Sequence, residues 1–300
     1  SNWGGCHNAA IGPQALYTNT TGSNNTAIGP ETLYANTTGC HNAAIGNSAI
    51  CSNTTGNYNF GVGLNTLRHN TTGNANTALG YQSMYCNTTG HYNVAIGESV
   101  LFYNTDGDCN TALGYRALYS NTTGCDNQAI GTAALQKNTT GNYNAAVGRC
   151  ALKENTEGLS NVAIGYLPLC KNTTGGCNTA IGNETLRFNT TGNLNIAVGS
   201  LAMYANTTGC DNNALGTRAL QANTEGCFNT AIGCGVLRYN TTANYNTAIG
   251  NQALYTNTTG VCNTAIGRNP LYSNTEGHWN VAVGTCALYS NTTGCYNVAL

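Results

Sequence analysis

Charge is almost missing from this 300-residue chain: 7% of its residues are charged and the net charge is −1. That removes the basic footprint through which nucleic acids and anionic membranes are bound, so neither is expected as a partner. No run of about 18 apolar residues is present, so no membrane-spanning helix is expected. No Ser-His-Asp or paired-carboxylate constellation recurs, and five scattered histidines supply no catalytic base, so the chain does not read as an enzyme. The G-x-D calcium nonapeptide is missing, and no cofactor is expected. Disorder is disfavoured as well, because 41% of residues are hydrophobic and the charges cancel. The chain has neither an initiator Met nor a signal-like apolar block at its start. It opens at Ser1-Asn2-Trp3 and stops at Leu300 inside a repeat, which reads as a stretch of a longer repetitive protein.

What is present is one 17-residue unit repeated from residue 1 to 300, a single array without insertion or deletion. The unit reads N-T-T-G-x-x-N-T-A-I-G-x-x-A-L-Y-x, and its positions are numbered here from the first Asn. That Asn recurs from Asn2 to Asn291, and the seventh-position Asn from Asn8 to Asn297, in 18 copies each. Position ten is always Ile, Val or Leu. Every Lys, Arg, Asp and Glu falls at positions 3, 5, 6, 12, 13, 16 or 17, which suggests that these face solvent or a partner.

A unit this short, with two or three glycines, cannot hold a helical hairpin, which takes roughly 33 residues or more. Gly and Asn at fixed offsets mark corners, and the residues between them favour strands. The expected fold is an all-β parallel β-solenoid, or β-roll, with one repeat per rung and about 17 rungs. Two strands per rung are expected, over Asn25 to Ile28 and over Ala15 to Thr20. Ile28, Leu33, Ile45, Leu118, Ile164, Leu186, Ile249 and Leu254 should point inward as two aliphatic ladders. The asparagines, typified by Asn19, Asn25, Asn36, Asn42, Asn53 and Asn59, should satisfy corner backbone groups and stack as amide ladders. The small residue at position nine (Ala27, Ala44, Ala78, Ala95) neighbours the expected inward Ile and should face outward by alternation. That suggests an outer face where another backbone packs, or else a cramped corner within one chain.

The string Asn25-Thr26-Ala27-Ile28-Gly29, followed by Thr32-Leu33, resembles the A-I-G-x-x-A repeats of trimeric autotransporter adhesin heads. It also resembles N-T-A-I-G-x-x-A-L-Y repeats of bacterial surface and tail-fibre-like proteins. The resemblance implies a left-handed parallel β-roll, commonly homotrimeric, displayed outside the cell.

Sequons recur at Asn19, Asn36, Asn53, Asn70, Asn87, Asn121, Asn138, Asn172, Asn189, Asn206, Asn240, Asn257 and Asn291, all glycosylation candidates, with Asn24 and Asn183 outside that register. Asp106, Glu157, Glu225 and Glu276 break the sequon elsewhere, yet the Asn stays, so its first role is structural. Fifteen cysteines suggest an oxidising, extracellular or cell-surface setting. Nine lie at positions five and six, where adjacent rungs fall about 4.8 Å apart, within disulfide range. Cys210 with Cys227 and Cys109 with Cys125 are the best intrachain pairs; the others could bridge to another chain or stay free. Cys6-His7 and Cys40-His41 lie two rungs apart, about 10 Å, too far for one zinc.

Aromatic residues form two stripes, at positions six (Tyr58, Tyr92, Tyr143) and sixteen (Tyr34, Tyr85, Tyr255), suited to binding glycans or a second chain, or merely shielding the rod. The leading expectation is a structural extracellular rod that associates with itself into a filament. An adhesin or tail-fibre shaft binding a surface or glycan is the alternative. An ice-binding solenoid is third, because Thr20 and Thr21 should point to opposite sides and leave no T-x-T face.

Overall fold

The computed structural model describes residues 4–300, so Asn2 lies outside the described residues. It contains 18 strands, one per repeat, and no helix among the described residues. The chain forms two compact units, one ending at Arg149 and the other beginning at Cys150. In the first, β2 (Thr26–Ile28) lies between β1 (Ala9–Ile11) and β3 (Ala43–Ile45), all parallel, with Ala27 opposite both Ala10 and Ala44. In the second, β13 (Asn213–Leu215) lies between β12 (Ile196–Val198) and β14 (Thr230–Ile232) in the same way. Each unit is a parallel β-solenoid in which every residue stacks on its counterpart in the next repeat. A turn rises by the strand spacing, about 4.8 Å.

Each turn holds one strand, not the two expected. The segment Ala15–Thr20 and its copies bend repeatedly instead, because residues at the thirteenth and fifteenth positions take left-handed backbone angles. Glu31 has φ 55° and Leu33 φ 49°, and the sixth-position residue repeats the pattern with Asn24 at φ 60°. Non-glycine residues in this region cost on the order of 1 kcal/mol each, so contacts between turns must offset a recurrent strain. Gly29, at φ 125°, occupies a region that side chains avoid, which is why position eleven accepts only glycine.

The bent half is still hydrogen-bonded from turn to turn. Leu33 N–H donates to Ala49 O (3.1 Å) and Ala35 N–H to Cys51 O (2.9 Å), while Gly29 N–H donates back to Ile11 O (2.7 Å). At the Thr-Thr corner one carbonyl serves several donors. Thr54 O accepts from the N–H groups of Thr37, Thr38 and Gly39 at 3.0, 3.1 and 3.3 Å, and from the Thr37 hydroxyl at 3.0 Å. A Cβ on Gly39 would run into Asn36 Oδ1 and Gly56 O, so position four favours glycine by close approach rather than by φ, with Ala243 the one exception.

Asparagine decides which way the strand faces. Asn25 is fully buried; its Nδ2 donates to Gly39 O (2.8 Å) and its Oδ1 accepts the Asn42 N–H (2.9 Å). With Asn25 inside, alternation puts Ala27 inside and Thr26 and Ile28 outside. The expected arrangement is therefore reversed. Ala27, Ala44, Ala78 and Ala95 have no exposed surface, whereas Ile28 is 37% exposed, Ile45 and Ile164 are 40% exposed, and Ile249 is half-buried. The interior has no room for a second large ladder, because the fifteenth position already fills it. Leu33, Leu118, Leu186 and Leu254 are completely buried. The core of each turn is thus one Leu-sized side chain, the smaller side chains of positions nine and fourteen, and two amides.

Candidate functional site

The outward face of the strands, at positions eight and ten, is free of charge in every copy. Positions eight and ten point out from every strand, and position ten carries only Ile, Leu or Val. Ile96, Leu113, Ile130 and Val147 form consecutive exposed steps of one column in the first unit; Ile164 and Ile181 do so in the second. Beside each strand, the sixth position adds exposed aromatics: Tyr58, Tyr92, Tyr143, Tyr245 and Trp279. Where neighbours are both rings they stack, as Phe228 on Tyr245 at 5.0 Å and Trp279 on Tyr296 at 5.1 Å. A second column runs at position sixteen, with Tyr85, Phe102 and Tyr119 stacked at 5.1 and 5.3 Å, and Tyr255, Tyr272 and Tyr289 at 5.0 Å each. Burial, and after it the flanking phenols Tyr255 and Tyr289, push the Tyr272 hydroxyl above its ordinary pKa.

The sequon asparagines are ladder residues. Asn36 Nδ2 donates to Asn19 Oδ1 (2.8 Å) and to Gly39 O (3.0 Å), and the same pair of bonds recurs at Asn53, Asn70, Asn87 and Asn121. The nitrogen that would carry a glycan is thus buried and committed, at Asn138, Asn172, Asn189, Asn206, Asn240 and Asn257 as well; Asn291, half-buried, makes the same bonds. In the folded chain these amides are turned inward and committed to the ladder. Asn24 and Asn183 are not buried in this way.

The cysteine-rich corner follows a rule that the sequence reading missed. The fifth-position side chain accepts the backbone N–H of the fifth residue one turn earlier. Ser23 Oγ accepts from Cys6 N–H (3.0 Å), Cys40 Sγ from Ser23 N–H (3.3 Å), Asn57 Oδ1 from Cys40 N–H (2.8 Å) and His91 Nδ1 from Asn74 N–H (2.9 Å). Position five holds Cys, Ser, Asn, His or Asp in 15 of 18 copies, all with an acceptor two or three bonds from Cα. That restriction was the available signal. Cysteine here substitutes for Asn or Ser as an acceptor.

All 15 cysteines are thiols. Cys109 and Cys125 do not face one another: Cys109 stands at position six of its repeat and Cys125 at position five of the next, and Cys125 Sγ instead accepts the Asp108 N–H (3.3 Å). Cys210 and Cys227 do occupy the same position on consecutive turns. Their sulfurs lie 3.1 Å apart, and Cys227 Sγ also accepts the Cys210 N–H at 3.1 Å. The hydrogen bond to Cys227, then burial, pushes the Cys210 thiol up to about 12. His41, next to Cys40, stacks on Tyr58 at 4.9 Å. Among the described residues there is no cluster of three or more metal-ligating side chains and no pocket. The chain matches no known protein family, no curated protein and no solved structure.

Proposed function

We propose that this is a structural protein whose solenoid packs against further copies of itself through the outward strand face, building a fibre in an extracellular setting. The observation that carries the reading is the uninterrupted, uncharged Ile/Leu/Val column on that face. Nine strands of three residues make a strip of about 10 by 40 Å, or roughly 400 Å² on each unit. Two such strips face to face remove about 800 Å² for each pair of units that engages, so two such engagements clear the roughly 1,000 Å² of a specific interface. Copies of this chain share one axial spacing, so ridges of one column meet the grooves of another along its whole length. A partner without the repeat would match only locally. The absence of charge removes like-charge repulsion between identical faces.

The test is assembly of the purified chain, followed by electron microscopy and light scattering, beside the double variant Ile96→Lys, Ile130→Lys. Both side chains point away from the core, so circular dichroism should be unchanged while fibres are lost. Fibres of unchanged yield from the variant would overturn the reading. A second reading, an adhesin or tail-fibre shaft, is favoured by the exposed ring column at position six, whose flat faces suit sugar rings. Binding to a glycan array that Tyr92→Ser with Tyr143→Ser abolishes, without loss of assembly, would favour it.

A further inference from the structure

Cysteine occupies position five on two consecutive turns only once in the chain, at Cys210 and Cys227. Other fifth-position cysteines stack against non-cysteine neighbours, as Cys40 does between Ser23 and Asn57 and Cys125 between Asp108 and Asn142. We propose that Cys210 and Cys227 form a site of reversible oxidation by hydroperoxides, with Cys227 the attacking sulfur and Cys210 the resolving one.

The two sulfurs differ in surroundings. Cys227 Sγ accepts the Cys210 backbone N–H at 3.1 Å and donates to Glu225 O at 3.3 Å, and it is part-exposed, so a small oxidant reaches it. The Cys210 thiol keeps its proton, held by the contact with Cys227 and by the Asp211 carboxylate beside it. Cys227 thiolate attacks one oxygen of the peroxide, breaking the O–O bond and leaving Cys227 sulfenic acid and hydroxide. Cys210 sulfur then attacks the sulfenic sulfur; the S–O bond breaks, and that oxygen leaves as water. The Cys210 proton goes to that departing oxygen, and the proton that Cys227 gave up in forming its thiolate goes to the hydroxide. In sum, two thiols and one hydroperoxide give one disulfide and two hydroxyl products, water when the oxidant is hydrogen peroxide. The spacing of turns, about 4.8 Å, lies within the Cα range of a disulfide, so closing the bond moves side chains rather than backbone. The product is a covalent staple between the turns of β13 and β14. It forms within one chain, and so holds whether or not the strand face joins copies together.

The experiment is peptide mapping under non-reducing conditions after treating the full chain with hydrogen peroxide. The expected result is a Cys210–Cys227 disulfide that forms at least tenfold faster than oxidation at any other cysteine, and that a thiol reductant reverses. In Cys210→Ser, dimedone should trap a lasting sulfenic acid at Cys227; in Cys227→Ser, Cys210 should label at least tenfold more slowly. Serine already fills this position at Ser23, where its hydroxyl accepts the same N–H, so both variants keep the corner bond. Even oxidation across all 15 cysteines would overturn the site. Equal dimedone labelling of the two single variants would overturn the assignment of roles.

Discussion

At the scale of single residues, the amide ladders carry the turn-to-turn stability that a thin core cannot. Asn121 Nδ2 donates to Asn104 Oδ1 at 2.8 Å and to Gly124 O at 2.9 Å, while its Oδ1 accepts from Asn138 Nδ2 at 2.8 Å. Asn121→Ala removes all of these and leaves a buried acceptor on Asn104 and a buried donor on Asn138 short of a partner. A loss of about 3 kcal/mol is expected, from two or three net hydrogen bonds and the stranded groups. Thr123→Glu destroys the same sequon without touching the ladder, and glutamate already stands at that position in Glu157, Glu225 and Glu276. It should fall within about 0.5 kcal/mol of the parent. Denaturant unfolding of the two variants separates the roles, since equal losses would mean that the Asn is not held by its ladder.

At the scale of the element, the strand and the leucine opposite it are matched in volume. β4 (Phe60–Val62) is unusual in having glycine at position nine, and the preceding turn is unusual in having Ile50 at position fifteen. The two departures explain each other. A Cβ on Gly61 would lie 2.9 Å from Ile50 Cγ1 and 3.1 Å from its Cδ1, because a β-branched residue fills the space that leucine leaves for an alanine methyl. Ile50 also stands at φ 51°, where β-branching is least tolerated. Gly61→Ala alone should destabilise by about 1–3 kcal/mol through overpacking. Combined with Ile50→Leu it should be at least as stable as the parent, a coupling on the order of 1–2 kcal/mol in a double-mutant cycle. Additive effects would refute the pairing. This matching also shows what could be read from the sequence. The register, the single turn per repeat and the amide ladders are legible because Asn and Gly recur at fixed places in every unit, whatever lies between. The facing of the strand is not legible, since a fixed Ile beside a fixed Ala looks like a core residue beside a surface one. Only the inward Asn25, directly before the strand that holds Ile28, and the space taken by Leu33 invert that assignment. The second strand was misread because Leu33 shows nothing in its side chain of a left-handed backbone.

At the scale of the whole molecule, stability should be a sum over turns and their interfaces, as in other arrays whose units touch only their neighbours. Every turn closes with one complete repeat, and most of its backbone donors find their acceptors one turn away, as Ala43 N–H does at Asn59 O and Tyr58 N–H at Cys40 O. The unit that can be removed without damage is therefore a full turn and no other length. Deleting residues 70–86 joins His69 to Asn87, and Asn87 then occupies the ladder site that Asn70 held. One turn is lost, and every remaining interface is of the same kind as before. The melting temperature should shift by no more than about 3 °C, with the circular dichroism per residue unchanged. Deleting residues 70–77 instead leaves a stub of a turn, Ala78 to Cys86, lacking both asparagines and the start of its strand. Such a stub cannot span the path that a complete repeat takes, so the ladders on either side lose their partners. A drop of at least about 10 °C, or two separate transitions, is expected, with fast amide exchange confined to the turns next to the deletion. Equal melting temperatures for the two deletions would mean that the repeat is not the unit of folding.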